Sequence, residues 1–256
     1  MMVDFGFLSD YMRDYQDDYI LIGGNACALN FKEEGSSFRA TVDLDVVLII
    51  EGDNQKFYEH LRAYLSEHDY IGKTYNGSNT GGSSYRFVLP EDNVKSDLPK
   101  QIELFTRKPD YFDTSKSSKP HITPIQVDGN ISNLSAILLD DDIYSFIRGS
   151  KISIDDVSTV NLECLLGLKS IAWHANQELF EKGIVENEVT VWKHAADILS
   201  IVGIIEDKQY IYPSVIFDSL QYSKQRFKES DIYKHITVSQ DDVENVIHFI
   251  EDNVTK

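Results

Sequence analysis

Arg39-Ala40-Thr41-Val42-Asp43-Leu44-Asp45-Val46-Val47 is the stretch on which the reading of this chain turns. The run Val42–Ile50 is rich in β-branched residues and ends at Gly52-Asp53, which predicts a strand. Side chains alternate along a strand, so Asp43 and Asp45 project from one face while Leu44 and Val46 point to the core. Two carboxylates about 7 Å apart on one face repel each other, and a cation between them relieves the repulsion. Magnesium suits that place, because it takes one or two carboxylates and completes its shell with phosphates and water. A strand end whose acids merely face water is the plainer alternative.

Upstream, Tyr19-Ile20-Leu21-Ile22 has the length of a buried strand, and Gly23-Gly24 breaks it. Asn25–Asn30 then predicts a short helix with Asn25 as its N-cap. A helix N-terminus offers unpaired N–H groups, and glycine lets a phosphate come close to the backbone. The same residues also make an ordinary structural turn. Downstream, Glu103 interrupts the apolar strand Gln101–Phe105, where an isolated carboxylate is costly unless paired or metal-bound. Beside Asp43 and Asp45 it would complete a carboxylate triad; at a sheet edge it would only face solvent. No G-x-x-x-x-G-K-[ST] or G-x-G-x-x-G motif is present, which removes the main support for P-loop or Rossmann chemistry.

Around this centre the pattern predicts helices over Phe7–Tyr15 and Asn54–Glu67, strands over Tyr85–Leu89 and Ile122–Val127, and a loop over Gly72–Ser84. Asp140-Asp141-Asp142 reads as a cap for a helix starting near Ile143. From about Ser158 long helical patterns follow: Val160–Leu179, Glu188–Gly203, Val215–Lys228 and Val238–Asn253. Strands followed by helices imply an α+β chain of two domains, 1–152 and 153–256. In the helical part Lys169 falls on the apolar stripe of Leu162, Leu165, Leu166 and Trp173, so it needs an anion or must reach solvent. Lys193 and Asp197 share a helix face, a spacing that equally suits a surface ion pair.

The chain has 24 Lys and Arg against 42 Asp and Glu, a net charge of −18. Such a surface repels polyanions and argues against a general nucleic-acid coat protein. Lys95, Lys100, Arg107, Lys108, Lys116 and Lys119 form the one sizeable neighbourhood of positive balance, where RNA could be held. Cys27 and Cys164 are too few for a disulfide framework, and His60, His68, His121, His235 and His248 lack metal-ligand spacing. Trp173 and Trp192 read as core. With no bilayer-length apolar run and no basic, then apolar leader, a reducing cytoplasm is the expected compartment and no membrane the expectation.

The order Gly-Gly, then Arg-x-Thr-x-Asp-x-Asp, then a third acid in a later strand resembles the nucleotidyltransferase superfold. Within it, the chain is most similar to AbiEii/AbiGii-type nucleotidyltransferase proteins, the toxin-like halves of bacterial abortive-infection and type IV toxin–antitoxin pairs. The likeness runs through Tyr19–Leu29, Phe38–Ile50, Ile102–Asp110, Leu134–Leu139, Lys169 with Trp173, and Lys193–Asp197. The stretch between Gly24 and Asp43 is longer than the usual pattern, and Asn25 stands where Ser or Thr is common. The resemblance implies a mixed-sheet nucleotidyltransferase domain with a helical domain closing its cleft, and Mg²⁺-dependent transfer from an NTP to an acceptor hydroxyl. It implies that Asp43, Asp45 and Glu103 hold metal, with Glu103 or Asp197 also serving the acceptor proton. Gly23, Gly24 and Asn25 would cradle phosphates, with Arg39, Lys169 and Lys193 as further nucleotide-binding residues. The implied partners are the NTP, an acceptor RNA such as tRNA or a small molecule, and an antitoxin protein. A small-molecule nucleotidyltransferase of the antibiotic-modifying kind and a catalytically silent binding protein of the same fold are the alternatives.

Overall fold

The computed structural model describes residues 10–39, 41–52, 54–73, 84–93, 98–108, 122–127, 130–184, 187–229 and 232–256. The start of the Phe7–Tyr15 helix, most of the Gly72–Ser84 loop, His121, and Lys95, Lys116 and Lys119 of the basic neighbourhood lie outside the described residues. The chain is mixed α+β and divides into two compact units, 1–160 and 161–256.

The first unit is built on a mixed nine-stranded sheet. In chain order its elements are β1 (Tyr19–Ile22), α1 (Gly23–Glu33), β2 (Asp43–Leu48), α2 (Gln55–Glu67), β3 (Ile71–Lys73), β4 (Arg86–Val88), β5 (Gln101–Thr106), β6 (Ile122–Val127), β7 (Asn130–Leu138), α3 (Asp141–Gly149), β8 (Lys151–Ile154) and β9 (Val157–Val160). The strand order is β3-β4-β5-β2-β1-β9-β8. Strand β2 runs antiparallel to β1 and parallel to β5. One edge of β5 is shared: β4 covers Gln101–Glu103, and β7 covers Phe105–Thr106 and carries β6. All four side chains of β1 are buried, as a short uninterrupted apolar run demands at the centre of a sheet. Helix α2 buries Phe57, Tyr58, Leu61, Tyr64 and Leu65, a 3.6-period stripe, with Phe57 against Tyr19 at 5.8 Å between ring centroids.

The boundary between the units falls at 160/161 rather than after 152, because 151–160 is a hairpin of the sheet. Strand β9 pairs in parallel with β1 and is wholly buried. Its turn is Asp155-Asp156, both at positive φ (50° and 61°), the geometry of a two-residue primed hairpin turn. At α3, Asp140 is the N-cap as expected, accepting hydrogen bonds from the backbone N–H groups of Asp142 and Ile143.

The second unit contains α4 (Leu162–Glu181), α5 (Glu188–Val202), α6 (Ser214–Phe227) and α7 (Gln240–Asn253), within two residues of the predicted ranges. A short parallel pair, β10 (Tyr210–Ile211) and β11 (Val254–Thr255), ties in the C-terminus. Helix α4 packs against α5 and α6, and α7 against both of these. Gly167 permits the close approach of α4 to α6, since a Cβ there would stand 2.6 Å from Ile216 Cγ2. Trp173 is fully buried with its ring 5.8 Å from that of Trp192, so both tryptophans belong to the core. Among the described residues no helix is long and apolar enough to cross a membrane.

Candidate functional site

Three strand ends converge where β1 passes into α1. The helix begins at Gly23, with φ +75° and Ile22 at the N-cap. A side chain at Gly23 would collide with the Asp45 carboxylate, and a Cβ at Gly24 would lie 2.6 Å from Thr41 Oγ1. The two glycines therefore let β2 and the residues before it close directly on the helix start.

Asn25 is not the N-cap expected from the sequence. It sits inside the first turn of α1, fully buried, and its Nδ2 donates to the Asp43 carbonyl over 2.6 Å. That bond fixes the amide's orientation and leaves Oδ1 buried without a hydrogen-bond partner. An unpaired buried acceptor is costly, and this atom is one of several buried polar atoms of that kind among the described residues.

The sheet register brings the three acids to one face. Asp45 is the register partner of Glu103 on the parallel strand β5, and Asp43 lies two residues before Asp45 on the same face of β2. All three are half-buried. Arg86 on β4 is the register partner of Glu103 on its other side and forms an ion pair with it. A single row thus crosses the sheet as Arg86, Glu103, Asp45 and Ile22. Glu103 is accordingly not the isolated carboxylate its apolar strand suggested. The alternation of Tyr85–Leu89, which sets Arg86 opposite Phe87, carried the signal for that partner, but not the register.

Among the described residues no group of three or more His, Cys, Asp or Glu side chains stands ready to hold a metal ion. The register nevertheless fits a magnesium ion at Asp43 and Asp45, because such an ion needs only one or two protein carboxylates. Arg39 is exposed, its guanidinium carbon 5.4 Å from the centroid of the Phe38 ring.

The remaining expected residues belong to the second unit. Lys169 on α4 and Asp197 on α5 form an ion pair of 2.8 Å with side chains only 6% and 1% exposed. The anion facing the buried lysine is thus an acid of its own helical unit, where a triphosphate had been expected. Asp197 pairs across helices rather than with Lys193, its neighbour one turn away. Lys193 is half-buried and lines a hollow of about 310 Å³ with Trp192, Lys234 and His235.

No family model matches the chain, and no curated protein or solved structure matches it either.

Proposed function

We propose that the chain is a magnesium-dependent nucleotidyltransferase that moves an NMP from an NTP to a hydroxyl of an acceptor, either RNA such as tRNA or a small molecule. The observation that carries this reading is the register that sets Asp43, Asp45 and Glu103 on one face beside Gly23-Gly24 at the start of α1. Asp43 and Asp45 would hold the ion, which when bound would offset charge on the triphosphate and on the attacking and leaving oxygens. The backbone N–H groups at the start of α1 would receive phosphate oxygens. In the transfer, the acceptor oxygen bonds the α-phosphorus, the bond to the β-phosphate oxygen breaks, and pyrophosphate leaves with that electron pair. The hydroxyl proton would pass to a carboxylate of this face, with Glu103 the candidate. Asn25 Oδ1 is fully buried, so an enclosed water rather than the substrate would satisfy it.

The resemblance to AbiEii/AbiGii-type proteins extends the proposal to the toxin of an abortive-infection or type IV toxin–antitoxin pair, working in the cytoplasm beside a protein antitoxin. One observation favours a second reading, a nucleotide-binding protein without turnover: Arg86 already engages Glu103.

Calorimetric titration of each NTP with Mg²⁺ tests the site, wild type beside Asp43→Asn/Asp45→Asn. Metal-dependent binding that disappears in the double variant is expected. Binding that survives it would overturn the site. Labelled NTP offered with tRNA and with aminoglycosides then separates the two acceptor classes, and binding without any transfer selects the second reading.

A further inference from the structure

Building on the proposed metal site, we propose that Arg86 is a counter-ion belonging to the acidic face, holding Glu103 in the cation-free chain and competing with a divalent cation for it. The row across the sheet puts a guanidinium, a carboxylate and a second carboxylate at the same level on β4, β5 and β2. Asp43 adds a third carboxylate two residues along β2. Without a cation, three half-buried acids on one face repel each other, and in a chain of net charge −18 no general positive field offsets this. Arg86 places a positive charge directly beside Glu103. Its side chain is 45% exposed while that of Glu103 is 15% exposed, so the arginine can swing to solvent and the glutamate cannot. The arginine is a positioning residue: it sets how strongly the face takes a cation and when Glu103 becomes available to an acceptor.

The test is a calorimetric Mn²⁺ and Mg²⁺ titration of the full chain, repeated for Arg86→Gln, Arg86→Lys, Glu103→Gln, Arg86→Gln/Glu103→Gln and Asp45→Asn. Removing one unit charge next to the acids should raise cation affinity about tenfold. Arg86→Lys should stay near wild type, and the gain should vanish in the Glu103→Gln background. Urea midpoints of the same proteins should show coupling between positions 86 and 103 without cation, and added Mn²⁺ should restore the stability that Arg86→Gln loses. If Arg86→Gln binds cation with unchanged affinity while Asp45→Asn abolishes binding, Arg86 is only a structural partner and the metal site stands. If neither wild type nor Arg86→Gln binds either cation, the metal site and the competition fall together, whatever the coupling. Should Arg86→Gln fail to fold, Arg86→Met takes its place in the titration: raised cation affinity supports the competition and unchanged affinity overturns it.

Discussion

Gly23 and Lys169 show how single residues commit this chain. At Gly23 the backbone has φ +75° and the Asp45 carboxylate occupies the place of a Cβ. Gly23→Ala should therefore cost about 1–2 kcal/mol for the left-handed backbone and in addition displace Asp45, lowering Mg–NTP affinity at least tenfold in the same calorimetric assay. An alanine variant with wild-type affinity would detach Asp45 from the nucleotide site. At Lys169 the buried pair with Asp197 makes a different demand. Lys169→Met or Asp197→Asn alone should destabilise the helical unit by about 3–5 kcal/mol, whereas Lys169→Met/Asp197→Leu should recover most of that loss, as read in urea. A single variant that folds normally but loses NTP binding would return Lys169 to the nucleotide. The sequence made the need for an anion legible, since a lysine stood on an apolar stripe. It could not say which anion, because Asp197 lies one helix away and Lys193, at helical spacing, looked like that acid's partner.

Elements were legible wherever one periodicity ran without interruption. The helices α4 to α7 and the strands β1, β2, β5 and β6 follow their hydrophobic patterns, but the hairpin 151–160 straddles the boundary at 152/153 that the sequence predicts. Lys151–Ile154 and Val157–Val160 are β-branched runs separated by two residues, and Asp155-Asp156 lacks the glycine that makes such a turn conspicuous. The network around Glu51 binds elements together in a way no local pattern reveals. Its carboxylate follows β2 and accepts from Arg107 Nε (2.9 Å) after β5 and from the Tyr144 hydroxyl (2.8 Å) on α3, with Arg148 of α3 at 3.2 Å. Burial raises the pKa of this carboxyl, but the hydrogen bonds from Arg107 and Tyr144 and the two arginine charges outweigh it, and the net shift is downward. A carboxylate with a lowered folded-state pKa contributes stability above its unfolded value of about 4.3 and loses it as pH falls through the folded value. Glu51→Gln should therefore be less stable than wild type at neutral pH, and the gap should close on acidification below about pH 4. A gap that persists unchanged at low pH would mean that shape, not charge, holds these three elements together.

At the scale of the molecule, the division at 160/161 gives each unit its own core and an unequal share of the optical probes. Both tryptophans of the chain, Trp173 and Trp192, lie in the second unit, so their fluorescence follows the helical unit, while circular dichroism follows both. Urea transitions followed by the two signals should not coincide, because all-or-none unfolding is a property of a single cooperative unit. Nucleotide then becomes a probe of where the site is. A ligand at a hundred times its dissociation constant stabilises the state that binds it by about 2.7 kcal/mol. For a urea dependence of about 1–3 kcal/mol per molar, that moves a midpoint by about 1–3 M. With Asp43, Asp45 and the start of α1 all in the first unit, and with Lys169 and Asp197 paired with each other, Mg–NTP should shift the dichroism transition and leave the fluorescence transition in place. A matching shift in fluorescence would show that the helical unit also holds the nucleotide, with Lys193 the first residue to substitute. The family resemblance assigns a share of the triphosphate to that unit, whereas the buried pair argues for the sheet alone, so this measurement decides between them.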